Sequence, residues 1–327
     1  MHRTKPFLWM LTLLLLSAAG MVGGCSESGS KQPLIRIGTN YWIGYEPLYL
    51  AKSLGAFDPK AVRLVEYASN SEVIEAYRSG IIDAAGLTLD ETLLLAQDGI
   101  PLRILMLLDS SDGADSVVAH EGIDTLTELK GKRIGVETSA VGIYVLTRML
   151  EHAGLEAGDV KTIHLPSDRH EKAYTDRQVD AVITFEPVRS RLLAAGGHEL
   201  FTSADIPGEI MDVLIVKPEL FNRADGHLEM IVEGWFRALK YLQEHPEDAH
   251  KRMRIRQKLG EAMLVRSLKE LEFPSRRENC RMLADTKSGI KGRISELNRM
   301  MREHQMLRSF VLPDSIIDSA SRRLLCR

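Results

Sequence analysis

The chain has 327 residues, which is enough for two domains of ordinary size. Hydrophobic residues make up 44% of it, so we expect a packed core rather than a disordered chain. The formal net charge is −3 at pH 7, and this slight acidic excess argues against a nucleic-acid-binding protein.

The first 25 residues have the pattern of a targeting segment. A basic start precedes the apolar stretch 7–19, which is too short to span a hydrocarbon core of ~30 Å. The following residues, MVGGC, end at Cys25 and resemble the bacterial lipoprotein signal. That resemblance implies cleavage before Cys25 and a diacylglyceryl group on it. A plain signal peptide and a transmembrane anchor are the alternatives.

Cleavage there would make residues 1–24 a signal peptide, and the loss of Arg3 and Lys5 would change the net charge from −3 to −5. The polar residues 25–33 would then form a flexible tether between lipid and domain. Ser26 after the cysteine, instead of Asp, resembles lipoproteins sent to an outer membrane. We therefore expect a lipid-anchored protein on the periplasmic side of the envelope, at the outer membrane if the cell has one.

The stretch 34–51, LIRIGTNYWIGYEPLYLA, predicts a strand, a short loop and the start of a helix. The loop at 41–46 carries Trp42, Tyr45 and Glu46. Open α/β folds place ligands at the carboxyl ends of strands, where such a loop lies. A helix start with a buried tryptophan is the alternative.

Short apolar strands and helices alternate along the following chain, which predicts an α/β protein. Strands are predicted at 62–67, 82–87, 102–108, 116–119, 133–137, 160–165, 179–185 and 213–216. Helices are predicted at 46–54, 71–79, 90–97, 140–153, 171–175 and 187–195. Beyond about residue 223 the pattern is helical almost throughout, and its basic run at 251–258 is interpreted as a solvated helix face with Met253 and Ile255 partly buried.

Polar gaps at 109–115 and 203–208 separate the apolar strands into two groups. If both gaps are crossings, lobe I is 33–112 plus 206–327, and lobe II is 113–205. A ligand cleft would lie between the lobes, where small-molecule sites concentrate.

Five segments in this order resemble periplasmic binding proteins of the nitrate, sulfonate, taurine and thiamine-precursor type, which are the solute receptors of ABC importers. The segments are IRIGTNYWIGYEPLYLAKSLGAF, VEYASNSEVIEAYRSGIIDAAGLTLDETLLLAQDG, SSDGADSVVAH, LKGKRIGVETSAVGIYVLTRMLEHAG and VDAVITFEP. The resemblance covers roughly residues 34–220. It implies a two-lobed type II clamshell with two interlobe crossings and a helical C-terminal tail on lobe I.

The resemblance also places contact residues in the loops that face the cleft. The predicted ligand-binding residues are Trp42, Tyr45, Glu46, Thr88, Asp90, Asp115, Glu137, Thr138, Ser139, Glu186 and Asp212.

The chemistry of these residues favours a cationic ligand. Several carboxylates facing one cleft repel a bare anion, and Trp42 and Tyr45 offer flat surfaces to a planar ring or a cation. The helix beginning near Ala140 could also hold an acidic group at its N-terminus. We expect a small polar molecule with an amine, amidine or aminopyrimidine group.

Each acid also has a structural alternative. Asp90 and Glu186 could cap the helices that follow them. Asp115 could brace the crossing, and Glu137 could pair with Arg133.

The sequence therefore predicts a monomeric solute-binding lipoprotein that delivers a small molecule to an ABC permease. A sensor that presents its closed form to a membrane receptor is the alternative. An enzyme related to thiamine-pyrimidine synthases is a minor alternative, because their clustered cysteines and the common nucleophile and nucleotide motifs are missing from the sequence. We predict no cofactor, no metal site and no nucleic-acid partner.

Two cysteines follow Cys25. In an oxidising compartment Cys280 and Cys326 could form a disulfide that fixes the C-terminus. Two buried free thiols are the alternative.

Overall fold

The structure, a computed structural model, describes residues 34–138, 140–284 and 288–327. The predicted signal peptide, the tether, the lipidation site at Cys25 and the predicted contact residue Ser139 lie outside the described residues. They remain predictions.

The elements alternate along the chain and become helical in the last third. The strands are β1 Ile35–Thr39, β2 Val62–Glu66, β3 Ala84–Thr88, β4 Arg103–Ser111, β5 Asp115–Ala119, β6 Arg133–Val136, β7 Lys161–His164, β8 Ala181–Phe185, β9 His198–Thr202, β10 Met211–Val216 and β11 Leu271–Glu272. The helices are α1 Glu46–Ser53, α2 Asn70–Arg78, α3 Leu89–Gln97, α4 Ala140–Ala153, α5 His170–Thr175, α6 Val188–Ala194, α7 His227–Glu244, α8 Pro246–Gln257, α9 Glu261–Lys269, α10 Arg276–Met282, α11 Ile290–Glu303 and α12 Ser319–Leu325.

Lobe I is built on the sheet β11-β4-β10-β3-β1-β2. Strand β1 is parallel to β2 and β3, whereas β10 returns from lobe II and pairs antiparallel with β3 and β4. Every residue of β10 is buried, as expected for a continuous apolar run in the middle of a covered sheet. The carboxyl ends of β1 and β3 lie at one edge, and the loop that carries Trp42 begins there.

Lobe II is built on the sheet β7-β6-β8-β5-β9, in which β5 enters antiparallel to β8. The chain passes between the sheets at 112–114 and again at 203–210. Ser203 ties the two crossings together, since its hydroxyl lies 2.8 Å from Ser111 Oγ and accepts from Gly113 N at 2.6 Å. The two-lobed α/β arrangement with two crossings is confirmed. The residue boundaries proposed for the lobes remain a prediction.

The C-terminal helices pack on lobe I. Helices α7 and α8 contact α1, α11 contacts α3, and α12 contacts β4. A disulfide joins Cys280 of α10 to Cys326 beside α12, so the pair left open by the sequence is bonded in the structure. Among the described residues, no helix has both the length and the apolar character needed to cross a bilayer.

Several element boundaries differ from the sequence prediction. Strand β4 continues to Ser111, into the polar gap at 109–115 that was predicted to be a crossing. Strands β9 and β11 were not predicted, because β9 is a largely polar edge strand and β11 has two residues. In the basic run, Met253 is buried but Ile255 is 75% exposed, so the expected partial burial of Ile255 is wrong.

Candidate functional site

The loop after β1 turns its aromatic side chains inward. Trp42 N donates to Asn40 Oδ1 at 2.9 Å, which fixes the start of the loop, and both Trp42 and Tyr45 are buried. Trp42 Nε1 donates to Asp109 at 3.2 Å, and the Tyr45 hydroxyl donates to Asp212. The close approach requires glycine at Gly44, since a Cβ there would collide with Trp42 and Asp109.

Five buried carboxyl groups, which we call the acidic cluster, meet behind this loop. Its members are Asp90, Glu91, Asp109, Asp115 and Asp212, each at most 5% exposed. The first two lie in the first turn of α3. Asp109 and Asp212 lie on the neighbouring strands β4 and β10 of lobe I, and Asp115 begins β5 of lobe II, just after the first crossing. The topology, rather than sequence proximity, brings them together.

Burial raises the pKa of every member of the acidic cluster. For Asp115 the pKa rises to about 7, because burial disfavours its charge and Asp90 adds repulsion, although a hydrogen bond with Ser111 opposes the change. The pKa of Asp212 rises well above its usual range through burial and then through repulsion from Asp109. Part of the cluster is therefore protonated near neutral pH.

Two small adjoining cavities lie between the lobes, each with about 10 Å³ of free space, which is room for about one water molecule. The first touches the aromatic loop and the second reaches into lobe II, and they share Asp115, Val141 and Phe185. The rings of Trp42 and Phe185 meet edge to face across the cleft, with centroids 5.7 Å apart. The cleft is therefore nearly closed, with an aromatic pair that joins one lobe to the other.

A larger groove of about 300 Å³ lies apart from these two cavities, beside α11. Its charged side chains are largely paired with one another, for example Arg148 with Glu209 at 2.8 Å. We place the candidate site in the interlobe cavities instead, because unsatisfied buried groups lie there.

Two buried carboxylate oxygens of the acidic cluster lack partners among the described residues, and Asp115, which carries one of them, lines both cavities. No described residue hydrogen-bonds to Oδ2 of Asp115 or to Oδ2 of Asp90. No described lysine or arginine forms an ion pair with any member of the acidic cluster. Within the described ranges no group of three or more His, Cys, Asp and Glu side chains is arranged to hold a metal ion. Buried acceptors without donors suit a ligand that brings its own N–H groups.

Six of the predicted contact residues line the cavities. They are Trp42, Tyr45, Thr88, Asp115, Glu137 and Asp212. Asp90 is buried in the acidic cluster but is not the cap of α3, because Thr88 holds that position. Thr138 lies outside the cavities, with its hydroxyl 2.6 Å from Nδ1 of His164.

Two predicted contact residues have partners elsewhere in the structure. Glu46 is buried against Arg256 and Gln257 of α8, and Gln257 Nε2 donates to it at 2.6 Å. Glu186 accepts from Arg189 Nη1 at 2.9 Å and from Ser190 Oγ at 2.8 Å. Neither residue lines either of the two interlobe cavities, so we leave both out of the proposed contact set.

The structure adds residues that the sequence prediction missed. Asn40, Asn70 and Phe185 line the first cavity, and Asn70 Nδ2 donates to Glu91 at 2.8 Å. Asp109 was missed because it begins the polar gap 109–115, which was predicted to be a crossing, whereas β4 continues to Ser111. Phe185 ends β8 directly before the predicted contact residue Glu186. This position at the end of a strand could have identified it as a residue of the cleft.

Comparisons with known proteins agree with this architecture. The taurine-binding periplasmic protein of Escherichia coli (strain K12) is 21% identical over 204 residues, which covers 60% of this chain. The chain spans 62% of the length of that curated relative.

Solved structures match over nearly the whole described chain. The alkanesulfonate-binding protein SsuA from Xanthomonas axonopodis pv. citri, bound to MOPS, has a TM-score of 0.73 at 20% identity and covers 88% of this chain and 99% of its own. The periplasmic nitrate-binding protein NrtA from Synechocystis PCC 6803 has a TM-score of 0.71 at 13% identity, covering 90% and 88%. At these identities the likeness shows the fold.

A family model, described as the NMT1-like family, matches residues 28–256. The match covers well over half of the 327 residues and includes the acidic cluster, all of lobe II and lobe I up to α8. The chain therefore belongs to the NMT1-like family.

Proposed function

We propose that this protein is an extracytoplasmic solute-binding protein that captures a small cationic molecule and delivers it to an ABC importer. The clamshell fold and the relative described as a periplasmic taurine-binding protein support a binding role outside the cytoplasm. The ligand carries an amine, amidine or aminopyrimidine group. This ligand class departs from the sulfonate and nitrate named for the structural neighbours.

One observation carries the preference for a cation. Asp115 lies between the lobes, lines both cavities and has a carboxylate oxygen without a partner among the described residues. Four further buried carboxyl groups surround it, with no ion-paired lysine or arginine among the described residues. An ammonium or amidinium group would supply the missing donors and stabilise the ionised form of these carboxyl groups, whereas an anion would be repelled by those that are ionised.

Closure follows from the position of the site between the lobes. In an open form, Trp42 and Tyr45 present flat surfaces to the arriving solute. Contact with Asp115 and Phe185 from the other side would then favour the closed form, because only that form makes both sets of contacts. The membrane partner would recognise the closed form.

A thermal-shift screen of amines, aminopyrimidines, amino acids and sulfonates tests the ligand class, since a ligand that binds the folded form raises its melting temperature. For each hit, calorimetry should show Asp115→Asn binding about tenfold or more weakly than wild type. Asp112→Asn is the matched control, because Asp112 is exposed at the same crossing. Hits confined to sulfonates, or an Asp115→Asn variant that binds a cationic hit as tightly as wild type, would contradict the proposal.

We also propose that Cys25 carries the lipid anchor, which is supported by the MVGGC sequence alone. Metabolic labelling with an alkyne fatty acid should mark the wild-type protein in the membrane fraction. A Cys25→Ser variant should lose the label and leave that fraction. Equal labelling of the two proteins would show that the lipid is elsewhere.

A further inference from the structure

The carboxylate of Glu137 bridges the two lobes. Glu137 follows β6 in lobe II, yet its Oε1 accepts from Ser71 N at 2.8 Å and from Ser71 Oγ at 2.6 Å, both in lobe I. Its Oε2 accepts from Ser167 N at 3.2 Å in lobe II. The side chain is 3% exposed and lines the second cavity.

Two helical N-termini converge on this carboxylate. Ser71 lies in the first turn of the nine-residue α2, and Ser167 begins the helical turn that leads into α5. The first N–H groups of a helix have no internal acceptor, and the helix dipole adds positive potential at that end. Donors from opposite lobes thus form one receptor for an anion, and Glu137 fills it.

Among the described residues, no neighbouring side chain neutralises the carboxylate of Glu137. Buried His170 has a lowered pKa, chiefly through burial, and is neutral at pH 7 with Nδ1 3.1 Å from Thr184 Oγ1. Glu91 in α3 contributes repulsion rather than neutralisation, and no described lysine or arginine forms an ion pair with Glu137. Asp115, with its unpartnered oxygen, lines the same cavity.

We infer that Glu137 is a built-in anion that occupies the interlobe receptor formed at Ser71 and Ser167, excludes anionic solutes from the cleft and helps to hold the lobes together. The inference rests on the proposed solute-binding function and adds a residue that determines specificity. A sulfonate or carboxylate entering the cleft would have to displace a tethered carboxylate that already has three donors. A cation meets no such competitor.

Glu137→Ala tests the inference by emptying the receptor. The substitution removes a CH₂–COO⁻ group, which acetate supplies again. We expect acetate and methanesulfonate to bind this variant saturably, at least about tenfold more tightly than they bind wild type. Small-angle X-ray scattering should show the ligand-free variant more expanded than wild type and compact again with acetate.

Three further variants give the comparison. Glu137→Gln keeps the volume of the side chain and should gain no acetate binding. Glu121→Ala removes an exposed glutamate from the same lobe and should behave as wild type. Adding Ser71→Ala to Glu137→Ala removes one donor and should weaken acetate binding severalfold. If Glu137→Ala does not fold, Glu137→Ser opens the same space and is measured instead.

The results separate this inference from the proposed function. We call Glu137→Ala and Glu137→Ser the opening variants. If neither of them gains anion binding while wild type still binds amines, Glu137 does not fill an anion receptor and the cationic site stands. If wild type itself binds methanesulfonate as tightly as Glu137→Ala does, exclusion by Glu137 is wrong. If an opening variant gains anion binding but no amine binds wild type, the inference holds and the cationic ligand class is wrong.

Discussion

Asp109 shows what a buried carboxyl group costs at a site of this kind. Its oxygens receive one side-chain donor, the indole N–H of Trp42, and burial together with repulsion from Asp115 raises its pKa. The folded protein therefore keeps a proton that the unfolded chain releases near pH 4. Because the unfolded state then binds fewer protons, this group makes the free energy of unfolding fall as pH rises above about 4.

An Asp109→Asn variant should remove that pH dependence. We expect a gain of about 1 kcal/mol or more in unfolding free energy at pH 8 and little change at pH 4, since one pKa unit corresponds to about 1.4 kcal/mol. Urea titrations of the ligand-free protein at the two pH values measure the difference. The exposed Asp112→Asn gives the baseline, and an equal gain at both pH values would show that charge is not the cause.

The sequence supplied part of this site at the level of single residues. Trp42, Asp115 and Asp212 are recognisable because they lie where strands end beside polar loops. Glu91 and Asp109 are not, since their role depends on which strands become neighbours, and pairing of β10 with β3 and β4 is a long-range event. The partner of Glu46 was hidden for the same reason, since Arg256 lies 210 residues away.

Helix α8 is an example of an element whose partner was not visible in its pattern. Its basic run predicts a solvated face, yet Arg256 turns inward, pairs with Glu46 and Glu66 and lies over the Tyr49 ring at 3.7 Å. A helical period shows which face is apolar, but an arginine can bury its stem and planar head against aromatic rings. The helix thereby fixes the loop that carries Trp42.

Replacing Arg256 with methionine should destabilise the fold by about 3 kcal/mol, because the buried carboxylate of Glu46 would lose its counter-charge. The double variant Arg256→Met with Glu46→Gln should recover part of that loss. Chemical denaturation of the two variants gives the comparison, with the exposed Lys251→Ala as control. If the double variant recovers no stability, the loss in Arg256→Met comes from lost packing on Tyr49 rather than from the unpaired charge of Glu46.

The disulfide connects two further elements, α10 and the end of α12, across 46 residues. Helix α12 covers β4, where Ser321 Oγ donates to Ile104 O at 2.7 Å. Replacing Cys280 and Cys326 by serine should lower the unfolding free energy by about 2–4 kcal/mol through the freedom gained by the unfolded chain. Dithiothreitol should reproduce this loss in wild type and have no effect on the double variant. If the double variant loses stability but dithiothreitol does not destabilise wild type, the serine side chains themselves cause the loss.

For the whole molecule, the acidic cluster links solute capture to pH. A cation favours ionised carboxylates, and the folded pKa of Asp115, at about 7, is raised mainly by burial. The affinity of the protein for a cationic ligand should therefore increase between pH 5 and pH 8, by about tenfold per pH unit for each proton that the ligand displaces.

Calorimetry in buffers of different ionisation enthalpy measures the proton release directly. Asp115→Asn should release fewer protons and show a flatter pH profile. A wild-type affinity that stays constant from pH 5 to pH 8 would mean that the cluster does not change protonation when the ligand binds.

At this scale the family and the two-lobed fold could be predicted from the order of the motifs, whereas the closed geometry of the cleft could not. Order along the chain specifies which strands exist and which loops face a shared edge. Closure depends on contacts between the lobes, such as Trp42 with Phe185 and Ser71 with Glu137, and no local pattern encodes these pairs.

The sequence distance between the first loop and α8 has a consequence for the order in which the protein assembles. Gln257 donates to Glu46 over a separation of 211 residues, and Arg256 holds the carbonyl of Asn40. Closing so long a stretch of chain costs conformational entropy before the contact stabilises the fold, so we expect these contacts to form late in folding. Tryptophan fluorescence can follow this step. In a chain that begins at Cys25, a Trp235→Phe substitution leaves Trp42 as the one tryptophan, and Trp42 lies in the loop concerned. We therefore expect the wall of the cleft to become native only after residues from the last third of the chain have packed against it.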